Sequence, residues 1–194
     1  MKFEIHKFKS VTSTNDVAIN LIKKKRMLFG CVYADIQTRG RGTNGKSWIS
    51  KKGNLFTSLF FPLEKQHPTF SQFSIINPVL ISNVIKRITK TNKINLKFPN
   101  DIFLNEKKIC GILQEVVNLK GVNFLIIGIG LNIKSNPIID NTYKATNIFF
   151  ETKNEPKIKD VIKLIILSYE NFFLKLNSFS YKNFKKKAEA MSIK

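Results

Sequence analysis

Cysteine, arginine, acidic residues and long apolar runs are all scarce in this chain, and each shortage removes a class of protein from consideration. The two cysteines, Cys31 and Cys110, have no Cys or His nearby at ligand spacing, so neither a disulfide framework nor a metal cage is expected. Both read as small buried packing residues in a reducing compartment. No stretch is long and apolar enough to span a bilayer, and the N-terminal MKFEIHKFKS alternates apolar with polar residues where a signal peptide would be continuously apolar. A cytoplasmic protein without a membrane partner is the expectation. Acidic residues number 13 against 33 lysines and arginines, a formal charge of +20 that would attract any polyanion. Only Arg26, Arg39, Arg41 and Arg87 are arginines, however, and the lysines are scattered among abundant Asn and Ile. Clustered arginine or stacked aromatics would be the sharper footprint of nucleic-acid binding, so no specific DNA partner is expected.

What is present suffices for one folded domain. The 194 residues are 43% hydrophobic and 24% charged, close to the average for globular proteins. Phe3, Ile5 and Phe8 mark a first strand. Ser13-Thr14-Asn15-Asp16 then offers capping side chains to a short helix carrying Val17, Ala18, Leu21 and Ile22, which Gly30 would end. Residues 31–36 read as a buried strand running into a loop rich in glycine, and 55–61 as a strand with one face on the core, closed by Pro62. Apolar spacing is helical between Phe70 and Lys90, and Pro78 fits best in a first turn, which predicts a helix over 78–89 capped by Asn77. Three or four strands separated by turns at 105–107 and 118–121 form an antiparallel meander over 94–133, and 157–176 is an amphipathic helix. The fold class is therefore α+β, with a mixed, largely antiparallel sheet and helices packed on it.

Three segments carry the chemistry. Gln37-Thr38-Arg39-Gly40-Arg41-Gly42-Thr43-Asn44-Gly45-Lys46-Ser47-Trp48 combines glycines, which let backbone N–H groups approach a ligand, with the cations Arg41 and Lys46, and so suits an anion. It fits neither a Walker loop nor the dinucleotide fingerprint. Trp48, the single tryptophan, could shelter a purine or anchor a core. In the second segment, Lys97-Phe98-Pro99-Asn100-Asp101 precedes Lys107-Lys108-Ile109-Cys110-Gly111-Ile112-Leu113-Gln114-Glu115; a hairpin between them would bring Lys97, Asp101 and Lys108 together. The third, Ile127-Gly128-Ile129-Gly130-Leu131-Asn132-Ile133, is a buried strand whose glycines leave one face empty, which alone reads as packing.

Taken in order with Ser13-Thr14-Asn15, the strings GRGTNGKSW, KFPND, KICGIL and GIGLN resemble the biotin protein ligase family, over a stretch from about Phe3 to the end of the long helix. The resemblance implies a class II aminoacyl-tRNA-synthetase-like biotin/lipoate ligase fold. It also implies an ATP-dependent, AMP-forming ligase that makes biotinyl-5'-AMP and passes biotin to a lysine of a biotin carboxyl carrier protein of acetyl-CoA carboxylase. By the same resemblance Lys108, Arg41 and Asp101 are the catalytic group. Ser13, Thr14, Asn15, Gln37, Gly40, Arg41, Lys108, Gly111 and Ile112 surround biotin, and Lys46, Trp48, Lys97, Asn100 and Asn132 surround ATP. No protein metal ligands are assigned; Mg²⁺ would arrive with the nucleotide. The chain is expected to be a monomer or homodimer. Thr43 and Lys46 stand where many family loops carry arginine, so bidentate contacts become point-charge contacts or vanish, and the adenylate would be held less tightly.

The ends also bear on the expectation. The chain begins at the first catalytic strand, without the helix-turn-helix of family repressors, which predicts a ligase without a DNA-binding domain. The catalytic domain is expected over 1–180, with 181–194 a C-terminal tail where relatives carry a small β-barrel. The competing readings are a lipoate protein ligase, which shares fold and chemistry, and a non-enzymatic, basic nucleic-acid-binding domain.

Overall fold

The computed structural model describes residues 2–91, 93–137 and 144–193. Seven strands form one sheet in the order β1-β2-β3-β7-β6-β5-β4. β1 (Glu4–Val11) and β2 (Gly30–Gln37) run parallel, joined by helix α1 (Thr14–Lys25). The remaining pairs, made by β3 (Leu55–Pro62), β4 (Ile94–Lys97), β5 (Asp101–Leu104), β6 (Lys107–Leu119) and β7 (Val122–Leu131), are antiparallel. The mixed, mostly antiparallel α+β architecture is the one the sequence predicts, and the meander resolves into four strands.

The two faces of the sheet do different work. Odd residues of β3 and β7 (Leu55, Leu59, Phe61, Leu125, Ile127, Ile129, Leu131) enter a large core with the helices α2 (Phe70–Thr89) and α4 (Ile158–Leu174). On the opposite face Phe60, Phe124 and Ile126 pack with Ala18 and Ile22 of α1. β3 is therefore buried on both faces, not on one as its alternation suggests, because the strand is central and helices cover both sides. The glycines of β7 fall on the α1 side, beyond the reach of that helix's apolar residues, and there they leave the sheet bare.

Helix boundaries depart from the sequence in two places. α1 ends at Lys25 with Arg26 in the left-handed region (φ 53), and Gly30 is the first residue of β2, not a helix stop. α2 begins at Phe70 and contains Pro78. A capping box, Thr69 with Gln72, starts the helix, and the apolar face it opens onto the core outweighs the one hydrogen bond that Pro78 removes. Asn77 is no cap: its Nδ2 donates to Gln114 and its Oδ1 accepts from the buried Tyr169 hydroxyl at 2.9 Å, tying α2 to β6 and α4. Tyr169→Phe is expected to cost about 1–3 kcal/mol by stranding that buried Oδ1, which a denaturant melt would read as a lower midpoint at unchanged slope.

Two elements lie outside the sequence expectation. A short helix, α3 (Ile148–Thr152), is capped by the Asn147 side chain, and α5 (Tyr181–Ala190) occupies the region expected to be a tail. α5 buries Ala188, and Leu96 of β4 bonds to Met191 and Ile193 just beyond it. Among the described residues no helix is long and apolar enough to cross a membrane. Cys31 and Cys110 are fully buried as expected, and burial pushes the Cys31 thiol up to about 11, so neither is poised to react.

Candidate active site

Strand register builds the floor of the site. Gly111 of β6 pairs with Gly130 of β7, and Leu113 with Gly128, so three glycines occupy one patch of the α1-side face. A methyl group on Gly111 would lie 2.6 Å from the Trp48 ring, one on Gly130 would overlap the same ring, and one on Gly128 would lie 2.5 Å from Asn15 Oδ1. The bare backbone thus makes room for functional side chains to lie flat on the sheet. The third segment is part of the site, not packing alone.

One end of this slot is lined by neutral polar groups. Gln37 Oε1 accepts from the Thr14 backbone N–H (2.8 Å) and hydroxyl (3.1 Å), while its Nε2 donates to Ser50. Ser58 of β3 reaches both Thr14 Oγ1 and Asn15 Oδ1, and Asn15 Nδ2 donates to Glu115 at 2.6 Å. Ser13 sits at the N-cap of α1 yet makes no capping bond, and Thr14 and Asn15 are spent on the site as well. Helix-start residues serving a cavity in place of their helix are the kind of local inconsistency expected at a functional site.

The other end carries charge. Lys108 Nζ lies 2.8 Å from Asp101 Oδ1, with both side chains largely shielded (11% and 16% exposed), and 5.5 Å from the Trp48 ring centroid. The β5–β6 hairpin brings this pair together, as the second segment predicts. Above the floor the Gly-rich loop folds back on itself: Gly42 N–H donates to Lys46 O, Trp48 N–H to Gly40 O, and Asn44 (φ 55) and Gly45 (φ 72) turn the tip. Asn100 Nδ2 donates to Thr43 across the opening at 3.3 Å. Arg41 reaches Asp16 and, through Nη2, both oxygens of Glu115. Partial burial works against its charge, but the two carboxylates more than compensate and hold the guanidinium above its ordinary range.

The cavity between these groups is lined by Ser13, Thr14, Asn15, Gln37, Arg41, Lys46, Trp48, Asn100, Asp101, Lys108, Gly111 and Ile112. Three expected residues stay outside it. Gly40 is buried behind Gln37, where it leaves room for the Trp48 carbonyl. Lys97 stands opposite Asp101 in the β4–β5 register and so shares its face of the sheet, but it lies exposed at the end of β4 and does not line the cavity. Asn132 is 2% exposed and donates to Thr146 O, pinning the segment that follows the strand. Sequence reading missed Gly128, Leu113 and Ser58, though the alternation of Gly128 and Gly130 with isoleucine places the bare positions on one face. It also missed Asp16, which touches Arg41, and gave Glu115 no role.

Residues 7–132 match the family described as the biotin/lipoate A/B protein ligase family. The Bifunctional ligase/repressor BirA of Escherichia coli is 30% identical over 125 residues, 63% of this chain and 38% of that protein, so the chain spans well under half its length. A biotin protein ligase from Aquifex aeolicus, solved with biotin and ATP, is similar with a TM-score of 0.81 and 29% identity, covering 98% of this chain and 78% of that one. A Leishmania major biotin protein ligase, solved with biotinyl-5-AMP, gives a TM-score of 0.85 at 25% identity over 100% of this chain and 83% of that one.

Proposed function

Because the chain belongs to the biotin/lipoate A/B protein ligase family, we propose that it activates biotin with ATP and transfers the biotinyl group to a lysine of a carrier protein. The observation that carries this reading is the polarity of the slot. Neutral hydrogen-bonding groups (Thr14, Asn15, Gln37, Ser58) stand at one end, and Lys108, braced by Asp101, stands at the other. A ureido ring needs donors and acceptors without net charge, and a carboxylate needs a cation, so biotin fits lengthwise over the glycine floor.

The chemistry follows from that orientation. Adenylation joins two anions, the biotin carboxylate displacing pyrophosphate from the α-phosphorus of ATP, and the barrier falls when fixed cations meet the charge that develops between carboxylate and α-phosphate. Lys108 is the cation in place for it, with Lys46 at the loop as the second. An acceptor lysine then attacks the mixed anhydride and AMP departs. Asp101 holds Lys108 through both steps and is the carboxylate at the charged end of the slot. Its oxygen is already paired, and among the described residues no group of three or more His, Cys, Asp and Glu could hold a metal, so Mg²⁺ would be carried by the nucleotide's phosphates. The acceptor we propose is the biotin carboxyl carrier protein of acetyl-CoA carboxylase, reached in the cytoplasm.

The slot holds only about 100 Å³ of open space with Trp48 lying on Gly111 and Gly130, whereas sites for drug-sized ligands run to ~300–1,000 Å³. Trp48 is therefore expected to shift when biotin takes its place over the glycine floor. As the only tryptophan it reports that shift directly: biotin and ATP together are expected to change the emission in a saturable titration, and a flat response would contradict its placement. Biotin-dependent ATP–pyrophosphate exchange tests the function itself. Exchange supported by lipoate and not by biotin would establish the lipoate alternative.

A further inference from the structure

Arg41 belongs to the loop whose glycines and cations suit an anion, yet its guanidinium is already committed. It pairs with Asp16 on the first turn of α1, and Nη2 meets Glu115 Oε2 at 2.9 Å and Oε1 at 3.1 Å. One cation between two carboxylates leaves this corner with a net negative charge. An incoming carboxylate or phosphate would have to break those pairs to gain a contact and would then face Asp16 and Glu115 uncompensated. The free energy of this corner favours holding the loop, not holding an anion.

Glu115 does a second thing. Its Oε2 also accepts from Asn15 Nδ2. An amide that donates on one side presents its oxygen on the other, so this bond turns Asn15 Oδ1 toward Ser58 and over the bare backbone of Gly128. One carboxylate on β6 thus ties the Gly-rich loop to the sheet and fixes which face of the Asn15 amide the cavity sees. Chain separation makes this a long-range brace: 74 residues separate Glu115 from Arg41 and 100 separate it from Asn15.

We propose that Glu115 is a positioning residue that latches the Gly-rich loop through Arg41 and orients Asn15, and that Arg41 is the other half of the latch and not an anion contact. The latch itself needs no ligand; its effect on biotin rests on the function proposed above.

Two measurements on the full chain keep the two claims separate. The first is acrylamide quenching of Trp48 without ligand. Glu115→Gln and Arg41→Met are each expected to raise the quenching constant at least about twofold, because an unlatched loop lifts the ring off the glycine floor. The double variant should be no worse than either single one, as for residues acting as a unit. Unchanged quenching in Glu115→Gln, or effects that multiply in the double variant, overturns the latch whatever the ligand is. Should Glu115→Gln fail to fold, Asp16→Asn takes its place in the cycle.

The second measurement is biotin-dependent pyrophosphate exchange. Wild type without exchange overturns the proposed function and leaves the quenching result to decide the latch. With exchange present, Glu115→Gln and Arg41→Met are expected to raise KM for biotin about tenfold while kcat stays within about threefold, the signature of lost ground-state positioning. A fall in kcat at unchanged KM in Arg41→Met would make Arg41 a contact to the reacting anions and overturn the assignment.

Discussion

Lys108→Ala is expected to lower biotinyl-adenylate formation at least ~10²–10³-fold, the range for removing one fixed group that meets developing charge in a shielded site. Its Nζ is the cation that geometry puts at the charged end of the slot, held 2.8 Å from Asp101 and against Trp48. The same shielding means that the variant will also lose stability, since Asp101 is left largely buried without its partner. The two effects separate in Lys108→Ala/Asp101→Asn. Neutralising the stranded carboxylate should recover most of the lost thermal midpoint and none of the activity. Recovery of activity in the double variant would mean that Lys108 serves only to neutralise Asp101. The measurement is single-turnover adenylate formation beside a thermal melt of each variant.

Gly111→Val is expected to abolish ligand binding while leaving the fold intact. Valine suits a strand, and Gly111 lies in regular β backbone where a side chain costs no strain. What it meets is the Trp48 ring, 2.6 Å from the first added carbon, across from Gly130 on the neighbouring strand. Raising the floor by one side chain displaces the ring and narrows the slot. Misplacement of about 1 Å is enough to cost ~10²-fold in rate, so kcat/KM should fall at least that far. Calorimetric titration with biotin beside a thermal melt checks both halves. Wild-type affinity in this variant would show that the ligand does not lie over the glycine pair.

Much of this was legible in the sequence because it was written in local pattern. Strand alternation, turn residues and the ordered Gly-rich and lysine segments located six of the seven strands, the long α4 and the Asp101–Lys108 pair. What escaped depended on distant partners. The alternation of residues 55–61 suggests one buried face, yet β3 is buried on both because α1, far away in sequence, covers the other. Pro78 looks like a helix start until the Thr69–Gln72 box and the core-facing spacing around it are weighed together. Lys97 stands opposite Asp101 in the strand register yet lies exposed at the end of β4, outside the cavity. Glu115 was visible as a residue but not as a brace, since its partners Arg41 and Asn15 meet it only once β6, the loop and α1 have packed.

The central claim is that this slot makes and transfers an activated biotin. It is tested most directly by incubating the protein with biotin, ATP, Mg²⁺ and a biotin carboxyl carrier domain, then weighing the carrier by intact-mass spectrometry. The account predicts one added biotinyl group, located on a lysine, dependent on ATP and absent with Lys108→Ala. A carrier of unchanged mass, while a well-characterised biotin protein ligase labels the same preparation, would contradict it.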